Sequence, residues 1–175
     1  MCIRDRIYLL PFEIGVKEGN AKVVMSAYNK LNNIYCSSHQ ELLIDILKKE
    51  WGFDGYIVSD WGAALETEEN ANGGLDLEMP GPGNVWGNAL IDAIKSKRVA
   101  EDLIDDKVKR ILSIAEFSKR FDQPEIKNEE AIDNPEHRKL LRKAAADGMV
   151  LLKNDGMLPL KKDIKKLAII GPNAK

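Results

Sequence analysis

Cysteine is scarce in this chain, and so is any surplus of one charge. Only Cys2 and Cys36 occur in 175 residues, too few for a disulfide framework. No Cys/His cluster has the spacing of a zinc site, so no metal is expected. The 28 acidic and 26 basic residues are well mixed and leave a net charge of −2. That balance offers no basic block for nucleic acid or for a membrane surface. No run approaches the ~18 apolar residues of a membrane span, and the first residues lack the pattern of a signal peptide. Gly171-Pro172-Asn173 lacks the spacing of a phosphate loop, and no Ser or Cys sits in a nucleophile elbow. What is present is 44% hydrophobic residues, enough to bury one sizeable core.

The most informative stretch runs from Gly55 to Gly62. Tyr56, Ile57 and Val58 form a short aromatic and β-branched run without alternation. Such a run reads as a strand of a parallel sheet, buried on both faces. It stops at Ser59-Asp60-Trp61-Gly62, which places a carboxylate and an indole where the strand gives way to a loop. In a (β/α) barrel that edge is the catalytic face. From position alone Asp60 serves equally as an N-cap or as a chemical group.

Four motifs follow one another along the chain: Met25-Ser26-Ala27-Tyr28-Asn29, Glu50 to Gly55, Ser59-Asp60-Trp61, and Gly74 to Pro82. Their order and spacing resemble glycoside hydrolase family 3, on its β-glucosidase side. The resemblance implies a retaining mechanism with Asp60 as nucleophile. It places Tyr28 beside Asp60 in a sugar subsite, and Met25 and Trp61 complete the substrate-binding set it suggests. It implies no metal or organic cofactor, and an acid/base carboxyl outside residues 1–175. Asn33 and Asn72-Gly73 depart mildly from the family pattern. Tyr28 has an alternative role as a plug of the barrel mouth, and Trp61 as rim packing.

The remaining chain fits that frame. Residues 1–6 match nothing that follows, and Tyr8, Leu9, Phe12 and Val16 mark one face of a helix. A strand over 22–28 would bury Val23, Val24 and Met25, and 30–37 reads as a loop. Ser38 and Glu41 have the spacing of a capping box before a helix burying Leu42, Leu43, Ile46, Leu47 and Trp51, with His39 on its surface. Residues 63–72 read as a helix with Glu66, Glu68 and Glu69 solvated. Leu75, Leu77 and Met79 then alternate with Asp76 and Glu78 on a strand. These two carboxylates invite an acid/base role, but nothing aims either at a ligand. Amphipathic helices are expected over 88–96 and 100–120, the second burying Leu103, Ile104, Val108, Ile111, Leu112 and Ala115.

The expected architecture is α/β. Residues 1–120 form the C-terminal part of a TIM-like (β/α) barrel, 121–135 a linker, and 136–175 the start of a second α/β domain whose first buried strand is 166–172. The function that follows is a retaining, exo-acting β-glucosidase on β-glucosides or oligosaccharides, with no nucleic-acid or membrane partner, and inactive as this chain alone. The alternatives are a β-xylosidase, a β-N-acetylglucosaminidase, or a carbohydrate binder without turnover; Trp61 counts against the second.

Overall fold

The computed structural model describes residues 3–83, 85–123 and 131–174, and the chain divides into two compact units, Met1–Glu125 and Ile126–Lys175. In the first, β1 (Val23–Ser26) and β4 (Tyr56–Ser59) pair in parallel, with Val24 opposite Ile57 and Ser26 opposite Ser59. A bridge between Val58 and Leu77 adds a third parallel neighbour on the other side of β4. The amides of β4 therefore alternate. Tyr56 and Asp60 donate to the Lys22 and Ser26 carbonyls, while Ser59 donates to Leu77.

Helix α1 (Leu10–Lys17) leads into β1 and carries Pro11 in its first turn, where a missing N–H is harmless. Before it, the π-helical turn Arg4–Tyr8 is tied to the fold: Arg4 pairs with Glu41 at 2.8 Å, although these residues fit no sequence pattern. After β1 the expected loop is a hairpin, β2 (Lys30–Leu31) against β3 (Ile34–Tyr35). Its turn residues Asn32 and Asn33 have φ of 49° and 70°, the two positive values a type I′ turn requires.

The π-helix Glu41–Glu50 then returns the chain to β4, burying Leu43 and Leu47. The expected capping box does not form. Ser38 Oγ donates to Glu66 at 3.0 Å, which also removes Glu66 from the solvated face, and Glu41 is engaged by Arg4. Instead His39 Nδ1 accepts from the Leu42 amide at 3.4 Å, and the ring is 3% exposed rather than at the surface. Close packing explains the burial. A Cβ on Gly73 would fall 2.3 Å from the Ser38 carbonyl, so α2 (Glu68–Gly73) presses directly on this segment. The helix expected over 63–72 is confined to α2; Ala63 and Ala64 lie buried in the preceding loop, with Ser37 Oγ donating to the Ala63 carbonyl at 3.0 Å.

Helices α3 (Asn88–Lys95) and α4 (Glu101–Phe117) complete this unit. The main core gathers Leu43, Leu47, Phe53, Ile57, Ala64 and Leu75, and a smaller cluster holds Ala71, Ala93 and Val99. The main core lies on the helix-covered side of the sheet, and the smaller cluster joins α2, α3 and α4. The other side is open, which overturns the expectation that Val23, Val24 and Met25 are all buried. Val23 and Met25 are 43% and 55% exposed. Strand residues alternate between faces, and among the described residues helices cover only the face of Val24, Ser26, Ile57 and Ser59. The unalternating sequence of β4 suits burial on both faces, but in this chain its burial alternates too.

Helix α4 is also turned from its expected stripe: Val108 and Leu112 are exposed, whereas Lys107 is only 5% exposed. A buried ionic cluster sets that rotation. Asp76 accepts from Lys48 Nζ at 2.7 Å and from the Ile57 amide at 2.8 Å, and Arg110 donates to the Phe53 and Gly55 carbonyls. Burial lowers the Lys48 pKa despite its ion pair with Asp76. Burial likewise pushes Lys107 down from 10.5 to about 8, with Asp76 opposing the shift.

The second unit contains α5 (Pro135–Gly148), whose start is capped by Asn134 accepting from the Glu136 amide at 2.9 Å. The expected strand over 166–172 is absent, and Ile170 is 92% exposed. A strand exists only against a partner that takes its N–H and C=O groups, and no strand is present among the described residues of this unit. Of the expected linker, residues 124–130 lie outside the described residues.

Two outcomes test this packing. A Cβ on Gly55 would lie 1.9 Å from the Lys22 carbonyl, so Gly55→Ala should destabilise the first unit by about 1–3 kcal/mol or more in urea unfolding. The second concerns Lys107. Below about pH 8 both folded and unfolded chains hold its proton, and the full cost of burying the charge is in force. Between about 8 and 10.5 only the unfolded chain holds it, so stability rises with pH across that window. Lys107→Met should flatten that rise in unfolding measured at stepped pH.

Candidate active site

Because β1 and β4 are parallel, their C-terminal ends share one edge of the sheet. Tyr28 follows β1 there, and Asp60 and Trp61 follow β4. The Asp60 amide continues the ladder by donating to Ser26 at 3.3 Å. The chain then turns. Ala63 donates to the Asp60 carbonyl at 3.0 Å, and Gly62, at φ 76°, donates to Met79 at 2.9 Å. Asp60 is thus the last residue anchored to β1 and the first of a tight turn.

Its carboxylate is oriented locally: Oδ1 accepts from the Trp61 amide at 2.7 Å. Tyr28 Oη donates to the Trp61 carbonyl at 2.7 Å, so the backbone of Trp61, next to the carboxylate, is held at both its N–H and its C=O. Partial desolvation, and then the hydrogen bond and charge of Asp60, raise the Tyr28 pKa above its ordinary value. The phenol is more than half exposed, so solvent screens most of that effect. It remains a proton donor next to the carboxylate. The Trp61 residue is 60% exposed at the same edge.

A cleft of about 540 Å³ opens beside these groups, lined by Asp60, Tyr28, Asn29, Met25, Val23 and Phe12. Met25 lies on the same uncovered face as Val58, its partner in β4. The structure therefore brings together Asp60, Tyr28, Trp61 and Met25 at one edge of the sheet.

Asp76 and Glu78 lie on the other face and are fully engaged. Asp76 serves Lys48 and the Ile57 amide. Glu78 accepts from two successive amides, Val85 to Oε1 and Trp86 to Oε2, each at 3.0 Å, and so folds the loop that follows. The period-two pattern shows the pair on one side of a strand, but not that this side is the covered one. Sequence reasoning also missed Ser59. Its buried hydroxyl accepts from the Met79 amide at 2.8 Å and donates to the Met79 carbonyl at 3.3 Å. The only signal was a hydroxyl at the end of a buried strand. Among the described residues no group of three or more His, Cys, Asp or Glu side chains could hold a metal.

The chain is similar to known proteins over most of its length. The chain is 47% identical over 169 residues to a beta-glucosidase from Rhizobium radiobacter, and 45% identical over 170 residues to probable beta-glucosidase I of Neosartorya fischeri. These alignments take in 96% and 97% of this chain but 21% and 20% of those proteins. Among solved structures it is similar to the beta-glucosidase from Kluyveromyces marxianus in complex with glucose, with TM-score 0.73 and 38% identity over 89% of this chain and 19% of that one. Beta-glucosidase 3B from Thermotoga neapolitana in complex with alpha-D-glucose gives TM-score 0.70 and 35% identity, over 87% and 22%. The chain spans about a fifth of the length of the curated relatives it matches. The model of the glycosyl hydrolase family 3 N terminal domain matches residues 4–114, and to that family this chain belongs.

Proposed function

We propose that this chain is the nucleophile-bearing segment of a retaining β-glucosidase that removes terminal, non-reducing β-D-glucosyl residues. One observation carries the reading. Asp60 stands at the C-terminal edge of a parallel sheet, its carboxylate aligned by the Trp61 amide and open to a cleft shared with Tyr28. The names of the relatives supply the sugar.

The reading implies a double displacement. Asp60 attacks the anomeric carbon from the cleft as the glycosidic bond breaks, and an acid carboxyl protonates the departing oxygen. The resulting glycosyl ester is hydrolysed when the same carboxyl, now a base, takes a proton from water. Tyr28 gives its one donor bond to the Trp61 carbonyl and so steadies the turn beside the nucleophile. Trp61 offers an indole face to the leaving group. The partner carboxyl must stand ~5–5.5 Å from Asp60. Asp76 and Glu78 are buried on the opposite face and bonded to Lys48 and to backbone amides, and the family resemblance assigns the acid/base to a residue outside 1–175. We also assign 1–120 to the barrel, 121–135 to a linker and 136–175 to the start of a second domain.

In the full-length enzyme, Asp60→Ala should lower kcat by several orders of magnitude, and a 2-fluoro glucoside should leave its label on Asp60 by peptide mass spectrometry. A label on Asp76 or Glu78 would overturn the assignment. Trp61→Ala should raise KM for disaccharides well beyond its effect on aryl glucosides with good leaving groups. An equal loss on both would reduce Trp61 to a structural role.

A further inference from the structure

The sheet next to Asp60 ends in an unusual way. In the parallel ladder between β4 and the Leu77 segment, Leu77 N donates to Ile57 O and Ser59 N donates to Leu77 O, both at 3.0 Å. The regular continuation would have Met79 N donate to the Ser59 carbonyl. It donates to Ser59 Oγ instead, at 2.8 Å, and the hydroxyl passes its own proton to the Met79 carbonyl at 3.3 Å. That carbonyl also accepts from Gly62 at 2.9 Å, so both flanks of Asp60 are fastened to one residue. Ser59 is wholly buried and has no access to substrate.

We infer that Ser59 is a positioning residue for the nucleophile. Its side chain takes the ladder bond that its backbone would otherwise make, which lets the chain leave the sheet at Asp60 and turn toward the cleft. If the Ser59 carbonyl kept that bond, the strand would run on and the turn closed by Ala63 and Gly62 would begin later. Alanine at position 59 leaves the Met79 amide buried without its acceptor, and the chain then recovers a partner only by shifting the peptide that carries Asp60. A displacement of that kind acts first on the attack distance: Met25 stays fixed on β1, and Tyr28 and Trp61, tied to the turn through the Trp61 carbonyl, feel it only in part.

The inference rests on Asp60 being the nucleophile, and one experiment separates the two claims. In the full-length enzyme, inactivation by a 2-fluoro glucoside gives a covalent rate constant and a binding constant separately. Measurements are made well below each variant's unfolding midpoint. Ser59→Ala should lower the covalent rate constant and kcat by about 10- to 100-fold, since small misplacements of reacting groups cost that much. The binding constant and the affinity for a competing glucose analogue should change much less. Ser59→Thr, which keeps the hydroxyl, should recover most of the rate. If Ser59→Ala is not obtained folded, Ser59→Cys replaces it with the same expectation, because a thiol bonds weakly. An alanine variant labelled at wild-type speed overturns the inference. So does a loss shared equally by binding, or a threonine variant as slow as alanine. A wild-type enzyme that is labelled on another residue overturns the functional reading itself.

Discussion

A buried central strand must find an acceptor for every amide, and that requirement shapes this protein around β4. Toward β1 the backbone supplies the partners. Toward Leu77 the backbone ladder is only a few bonds long, and side chains close it at both ends. Asp76 Oδ2 takes the Ile57 amide at the entry, and Ser59 Oγ takes the Met79 amide at the exit. The entry has a price in charge, because Asp76 is buried there. Lys48 from the π-helix answers it, and Lys107 and Arg110 of α4 arrive in the same region. The exit has a geometric result, the turn that carries Asp60. One constraint thus connects the packing of the helices at one end of the strand to the candidate nucleophile at the other.

Much of this was legible in the sequence where local chemistry and tertiary structure agree. The strand at Tyr56–Ser59, the helix over 41–50 ending near Gly52, and the helices over 88–95 and 101–117 all lie where hydrophobic spacing puts them. The failures have a common origin. Periodicity identifies apolar faces but not what covers them, so Val23 and Met25 read as core although about half of each is exposed. On α4 the apolar stripe predicted the wrong rotation because ionic contacts set it, and a lysine is the last residue that pattern reading assigns to an interior. Asn32-Asn33 carried a hairpin signal that a loop reading passed over. The pattern over 166–172 is a strand pattern still, but a strand is a relation between two segments.

The grouping of Asp60, Trp61 and Tyr28 was legible for a simple reason: parallel strands end on the same side, so residues just past them meet. The opposite placement of Asp76 and Glu78 was not legible, because alternation separates two faces without naming either. Their burial changes how the segment is understood. Carboxylates in a rim strand are ordinary suspects for proton transfer, yet here one satisfies a strand amide and a lysine, and the other folds a loop by accepting two successive amides. Nor could sequence spacing show that His39, rather than Ser38, caps the π-helix.

The ionic cluster has a consequence for how this chain can change over generations. Asp76 is the one buried anion facing Lys48, with Lys107 and Arg110 close by. Loss of Asp76 by itself would strand that positive charge in the interior together with the Ile57 amide, a large single-step penalty. Loss of Lys107 is milder, because the Asp76–Lys48 pair survives it, whereas loss of Lys48 leaves the Asp76 carboxylate buried without its ion-pair partner. A mutational route toward an uncharged core at this place therefore has a preferred order: Lys107 becomes apolar first, and Lys48 and Asp76 change together, with an uncharged acceptor such as asparagine keeping the Ile57 bond. Substitutions at these positions are expected to be non-additive, and the acceptability of each depends on the history of the others.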